Sequence, residues 1–174
     1  MKSQLAAVME RKDEPRVVTR SREEISNRLS EVNDVIARRA FDIFESRGRA
    51  PGHEQEDWLR AESELLHPVP LNVTESKDEY IVRCEVPGFY SKDIEVSVEP
   101  LRMAISGKRE AAKGEESGGM ICPESRAGRI FQILDLASIV DPSKVRAALN
   151  DGVLIIDLPK PEQAEGVRRE PIAA

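Results

Sequence analysis

Aromatic side chains are scarce in this 174-residue chain, at 4 % of the sequence, and there is one tryptophan. A modest core is all that such a composition supports, although 40 % of the residues are hydrophobic. Two cysteines, Cys84 and Cys122, lie far apart without a C-x-x-C partner, which excludes a zinc ribbon or a thioredoxin-type motif and points to a reducing compartment. Only two histidines occur, His53 and His67, and they form no ligand set with the cysteines. No run approaches the ~20 apolar residues that a membrane span requires. The apolar stretch in MKSQLAAVMERKDEP is too short for a signal segment, so a cytoplasmic location is expected. A net charge of −6 disfavours a general nucleic-acid binder, and arginines at 38–39 and 47–49 sit among acids, as on a solvated helix face.

Charge is what the chain has in quantity, at 33 % of residues, and its distribution marks the segments. Residues 1–20 are charged and aperiodic, which predicts disorder. From Ser21 the pattern turns helical: Ile25, Leu29, Val32, Ile36 and Ile43 fall near helical spacing, and Ser21 with Glu24 forms a capping-box pattern. Gly48 and Pro51-Gly52 stop this helix, and a second runs from about Glu54 to Leu66 with Trp58, Ala61 and Leu65 on one face. The expectation for 21–67 is an αα-hairpin whose narrow apolar stripe must pack on something.

Beyond Pro68 the period switches to two. LNVT (71–74), EYIVRCEV (79–86), DIEVSV (93–98), LRMAISG (101–107), RIFQILDL (129–136), KVRAAL (144–149) and VLIIDLP (153–159) read as strands joined by turn residues. Seven short strands without helical crossovers predict an all-β sandwich over 69–161. The Asp151-Gly152 pair between two such runs predicts a tight hairpin, and Val153-Leu154-Ile155-Ile156, apolar on both faces, is expected to be an inner strand covered on two sides. KREAAKGEESGGM (108–120) is the one long loop, and 162–174 reads as a flexible tail. Cys84 alternates with Tyr80, Val82 and Val86 and so reads as a core residue, and no set of convergent reactive groups for an enzyme can be assembled.

The motif Ala147-x-x-Asn150-x-Gly152-Val153-Leu154 resembles the signature of the small heat-shock proteins. VPLNVTESKDEYIVRCEVPGF (69–89), DIEVSVEPLRMAISGKRE (93–110) and GRIFQILDL followed by Val140-Asp141-Pro142-Ser143-Lys144-Val145 resemble the preceding strands of that family in order. The resemblance implies a mainly β, immunoglobulin-like antiparallel sandwich (the α-crystallin domain) that acts without cofactor as an ATP-independent holdase on partly unfolded client proteins. It also implies a homo-oligomer built on dimers; the net charge and the lack of a long apolar run leave neither nucleic acid nor membrane as an expected partner. For the dimer interface it points to Leu71 and Val73 of the first sandwich strand, to Met120, Ile121 and Cys122 in the long loop, and to Gln132 where relatives carry an arginine. For a client- or tail-binding groove it points to Ile94, Val96 and Val98 on one side and Val145, Ala147 and Leu149 on the other, with Val96 and Val145 at the lip. The family's Ile/Val-x-Ile/Val tail motif is missing from GVRREPIAA, where Ile172 stands alone, and Leu136-Ala137 replaces its Leu-Pro; small assemblies are expected. Residues 37–66 resemble a bacterial helical-hairpin domain without an assigned function. From these features the alternative to a chaperone is a non-chaperone adaptor that docks partners on the sandwich and the hairpin.

Overall fold

The computed structural model describes residues 14–110 and 128–162. In chain order its elements are β1 (Arg16–Thr19), α1 (Arg22–Ser46), α2 (Glu54–Leu65), β2 (Leu71–Glu75), β3 (Glu79–Glu85), β4 (Ile94–Glu99), β5 (Arg102–Arg109), β6 (Gly128–Asp135), β7 (Arg146–Asn150) and β8 (Val153–Pro159). The expected αα-hairpin and sandwich are both present. One sheet has the order β1-β4-β5-β6, the other β2-β3-β8-β7, and every pairing is antiparallel except that of β1 with β4.

Alternation along each strand builds the core between the sheets. Tyr80, Val82 and Cys84 of β3, Ile94, Val96 and Val98 of β4, Met103 and Ile105 of β5, and Leu154, Ile156 and Leu158 of β8 all enter one buried cluster. The hairpin joining β7 to β8 forms as its Asp-Gly pair predicts. Asp151 and Gly152 take φ of 48° and 76°, both left-handed, as a two-residue turn matched to strand twist requires. The expectation that the VLII stretch is covered on both faces is corrected: Leu154 and Ile156 are wholly buried, while Val153 and Ile155, on the other face, are half-buried. A β-branched residue packs well on a pleated surface without full burial, so apolarity on both faces did not require two covers.

Helix α1 begins where the capping box placed it. The Glu24 amide donates to Ser21 Oγ (3.2 Å), and the Ser21 amide donates back to the Glu24 carboxylate (2.8 Å). Its apolar stripe is divided between two surfaces. Ile36 and Ile43 pack with Ala61 of α2, flanked by Val32, Trp58 and Leu65, to make a small core of the hairpin itself. Ile25 is fully buried elsewhere, between two anchors that tie the first turns of α1 to the outer face of the β4-containing sheet. Those anchors are Arg22 to Glu99 (3.4 Å) and Arg28 to Ser106 (3.1 Å) and Glu95 (2.9 Å). Arg47 closes the hairpin by donating from Nε and Nη2 to the Asp57 carboxylate (2.9 and 2.7 Å), which is buried.

Disorder was expected through residue 20, and the last part of that stretch is ordered instead. Arg16–Thr19 form a strand paired in parallel with Glu95–Val98, and the Arg20 amide donates to the Val98 carbonyl (3.0 Å). An exposed edge of β4 supplies the hydrogen-bond partners that this charged segment cannot supply for itself.

Candidate functional site

The side of the sandwich where β1, paired to β4 of one sheet, meets β7 of the other holds the residues that sequence resemblance assigned to a groove. Neither lip residue stands at an accessible edge. Val96 is wholly buried and Val145 is 9 % exposed, and Ile94, Val98, Ala147 and Leu149 are likewise core. Two facts account for the difference: the pleat turns these side chains toward the opposite sheet, and β1 lies along the seam. Val17 packs on the core from that position. These side chains therefore belong to the core, and a segment of the same chain covers the β4 edge beside them.

Polar contacts around β1 converge on two carboxylates of β4. Glu95 receives Arg20 (2.9 Å), Arg28 (2.9 Å) and, more distantly, Arg16 (3.8 Å), and Glu99 receives Arg22 (3.4 Å). Burial pushes the Glu95 carboxyl upward, but the hydrogen bond from Arg20 and the charges of Arg28, Arg20 and Arg16 outweigh it and hold the group below its usual range. All four arginines belong to the arm and both acids to the strand, so the contact is complementary in charge as well as shape. Sequence reasoning missed Val17, Arg20, Arg28, Glu95 and Glu99 as a set. The available signal was the pair of β-branched residues in RVVTR directly before a capping box, opposite acids alternating on β4.

Of the residues assigned to a dimer interface, Leu71 packs at the margin of the core, Val73 is 40 % exposed on β2, and Gln132 is half-buried on β6 opposite Ile105. Strands β2 and β6 end their sheets among the described residues. Met120, Ile121 and Cys122 lie outside the described residues, as does Ile172. Within the signature, Ala147 and Leu154 are core, Asn150 and Val153 pair across the hairpin, and Gly152 supplies its positive φ.

Reactive chemistry does not gather at the seam. Cys84 is buried, and desolvation pushes its thiol up to about 11, which leaves it protonated at neutral pH. His53 makes no side-chain cap to α2 and instead meets Glu56 (2.9 Å), while the ring of His67 sits edge-on to Phe89 and its amide donates to the Arg129 carbonyl (2.8 Å). Among the described residues no three His, Cys, Asp or Glu side chains are grouped to hold a metal, and no helix is long and apolar enough to cross a membrane.

Residues 72–173 match the Hsp20/alpha crystallin family, and residues 33–67 match a family described as a protein of unknown function, DUF2934. Spore protein SP21 of Stigmatella aurantiaca is 40 % identical over 56 % of this chain and 58 % of its own length. The 17.7 kDa class II heat shock protein of Arabidopsis thaliana is 29 % identical over 69 % of this chain and 83 % of its own. Heat shock protein 16.0 of Schizosaccharomyces pombe aligns in structure with a TM-score of 0.49 at 25 % identity, covering 62 % of this chain and 99 % of that one. The chain thus spans little more than half of the first of these relatives and most of the second. The family match covers every sandwich strand from Asn72 onward. The chain belongs to the Hsp20/alpha crystallin family of small heat-shock proteins, with a DUF2934 region as part of its N-terminal arm.

Proposed function

We propose that the protein is an ATP-independent holdase that binds partly unfolded proteins and keeps them from aggregating. The observation that carries this reading is the edge of β4, whose inward side chains are apolar and which here pairs with an extended segment whose Val17 packs on the core. A sheet edge with apolar lining, once freed of its own short strand, is a surface on which a destabilised protein's extended strand can pair through its backbone, largely whatever its sequence. The setting is cytoplasmic and the chemistry needs no cofactor.

The working unit is a homodimer formed through β2 and the 118–124 segment, with Leu71, Val73 and Gln132 at the contact. Assemblies stay small because the tail carries Ile172 alone. Deleting 112–121 then releases monomers in light scattering; an unchanged mass removes this dimer. The holdase reading is tested by heating several unrelated aggregating proteins with sub-stoichiometric purified protein and no ATP. Suppressed turbidity for all of them is expected, and protection of none refutes it.

A second reading has one specific observation behind it. The hairpin presents Phe41 and Leu59 to solvent, more than half exposed each, and such a surface suits an adaptor docking one dedicated partner. Protection confined to a single protein in the same assay would favour the adaptor.

A further inference from the structure

We infer that the cleft between α1 and the outer face of the β4-β5-β6 sheet is a binding site for a small phosphorylated organic molecule. The phosphate meets Lys92, Lys108 and Arg129, and the apolar body lies on Val32, Val35 and Phe131.

The cleft exists because the apolar stripe of α1 changes partner along its length. Ile25 is buried and Arg28 donates to Ser106 (3.1 Å), which seats the first turns on the sheet, whereas Val32 and Ile36 turn to α2 and join Trp58 and Leu65. Between the two attachments helix and sheet part, leaving a space of about 670 Å3. Ligand pockets run from roughly 300 to 1,000 Å3, so this one suits a molecule of cofactor size.

Alternation places the sheet's contribution. Glu95, Ser106 and Phe131 stand opposite one another across β4, β5 and β6, and two residues further along β5, on the same face, Lys108 stands opposite Arg129. Like charges directly opposite destabilise a sheet, and among the described residues neither Lys108 nor Arg129 has an ion-pair partner. Lys92, in the turn before β4, lines the same space and has the Tyr90 ring at 5.8 Å. The acids of the cleft do not offset these three. Glu95 is taken by Arg20 and Arg28 (2.9 Å each), and Asp93 accepts the Tyr90 amide (3.2 Å), which leaves Glu31 of α1 against three cations. A chain of net charge −6 thus concentrates uncompensated positive charge at one concave place.

The chemistry selects the ligand. Two ammonium groups and a guanidinium from three different elements suit an oxyanion of about two charges, a phosphate rather than a carboxylate. Val32, Val35 and Phe131, each half-buried, add a patch that a free inorganic anion cannot use and an apolar body can. One wall is α1 and the other is the sheet, so a bound molecule also ties the helical hairpin to the sandwich and raises resistance to unfolding.

The test is titration calorimetry on the full chain with naphthyl phosphate as probe, beside inorganic phosphate and uncharged naphthol. Wild type is expected to bind naphthyl phosphate at least tenfold tighter than either. Combining Lys108→Gln with Arg129→Gln should weaken it at least tenfold, whereas Lys77→Gln, at an exposed lysine between β2 and β3, should change it less than twofold. Phe131→Ser should weaken naphthyl phosphate and leave inorganic phosphate unchanged. Without ligand the double variant should melt no lower than wild type, because the like-charge pair is gone. Saturating probe should raise the melting temperature of wild type and not that of the double variant. Binding undiminished in the double variant, or no tighter for naphthyl phosphate than for phosphate or naphthol, overturns the site. Should the double variant melt well below wild type, Lys92→Gln, which occupies no ladder position, decides by the same criteria.

Discussion

Truncating Leu154 to alanine tests whether alternation along β8 or mere apolarity sets stability. Leu154 follows the Asp-Gly turn, pairs with Leu149 and Cys84 on its two flanks, and has no exposed surface. Replacing a buried leucine by alanine removes its transfer energy and leaves a void, together roughly 2–5 kcal/mol, a large part of the 5–15 kcal/mol that folds a domain. In a domain the size of the sandwich about 1 kcal/mol moves Tm by roughly 4–8 °C, so a fall of at least about 8 °C is expected. Its neighbour Ile155 is equally apolar but points to the outer face and is only half-buried. At ~0.8 kcal/mol per buried CH2 and roughly two-thirds to nine-tenths burial, Ile155→Ala removes about 1.5–2 kcal/mol and leaves no enclosed void, so its loss should fall below that of Leu154→Ala. Circular-dichroism melts and urea unfolding at equal slope supply both values. Equal losses at the two positions would refute the one-sided burial of this strand, and with it the placement of the core.

Gly152→Ala meets no clash, its nearest new contact being Pro87 Cα at 3.7 Å, so its effect reports the φ of +76° alone; a loss of about 1 kcal/mol in urea is expected. Asp57→Ala leaves the Arg47 guanidinium without its carboxylate and should loosen the helical hairpin, read as a red shift of Trp58 emission with the strand signal unchanged. Acid should release the arm. The Glu95 carboxyl sits below its ordinary value of 4.5, so the contribution of its ion pairs is complete above about that pH and is lost as pH falls through the lowered value. Arg16 of β1, Arg20 just beyond it and Arg28 of α1 face it, with the Ser97 and Ser106 hydroxyls adjoining and Glu31, Lys92, Asp93, Lys108 and Arg129 lining the same cleft. The protection factor of the Arg20 amide, corrected for intrinsic exchange, should hold above about pH 4.5 in wild type, drop as the pH falls below it, and stay flat in Glu95→Gln.

What could be read in the sequence follows the range of the forces involved. The turn at Asp151-Gly152, the Ser21–Glu24 cap and the alternation of Tyr80, Val82 and Cys84 each depend on neighbours within a few residues, and each is found where local chemistry put it. The helical stripe was legible as a stripe, but not its division, because Ile25 and Ile36 differ only in which surface they meet. Strand β1 was invisible for a related reason. Two valines between arginines carry no period, and the acids that fix them, Glu95 and Glu99, belong to a strand far along the chain. The residues assigned to a groove fall on β4 and on or beside β7, but their accessibility depends on what covers that edge, which no short window of sequence contains.

That separation also orders events during synthesis. Arg20 and Glu95 are 75 residues apart, whereas α1 and α2 need only each other to bury Ile36, Ile43 and Ala61. The hairpin can therefore be complete while β4 is still unmade, and β7, the second wall of the seam, comes later still. Throughout that interval β1 has no edge to join, and once β4 has paired with β5 its outer edge is bare. Closure of the seam is consequently among the last steps of folding, and a chain released short of Asn150 retains its arm with only one wall to rest on.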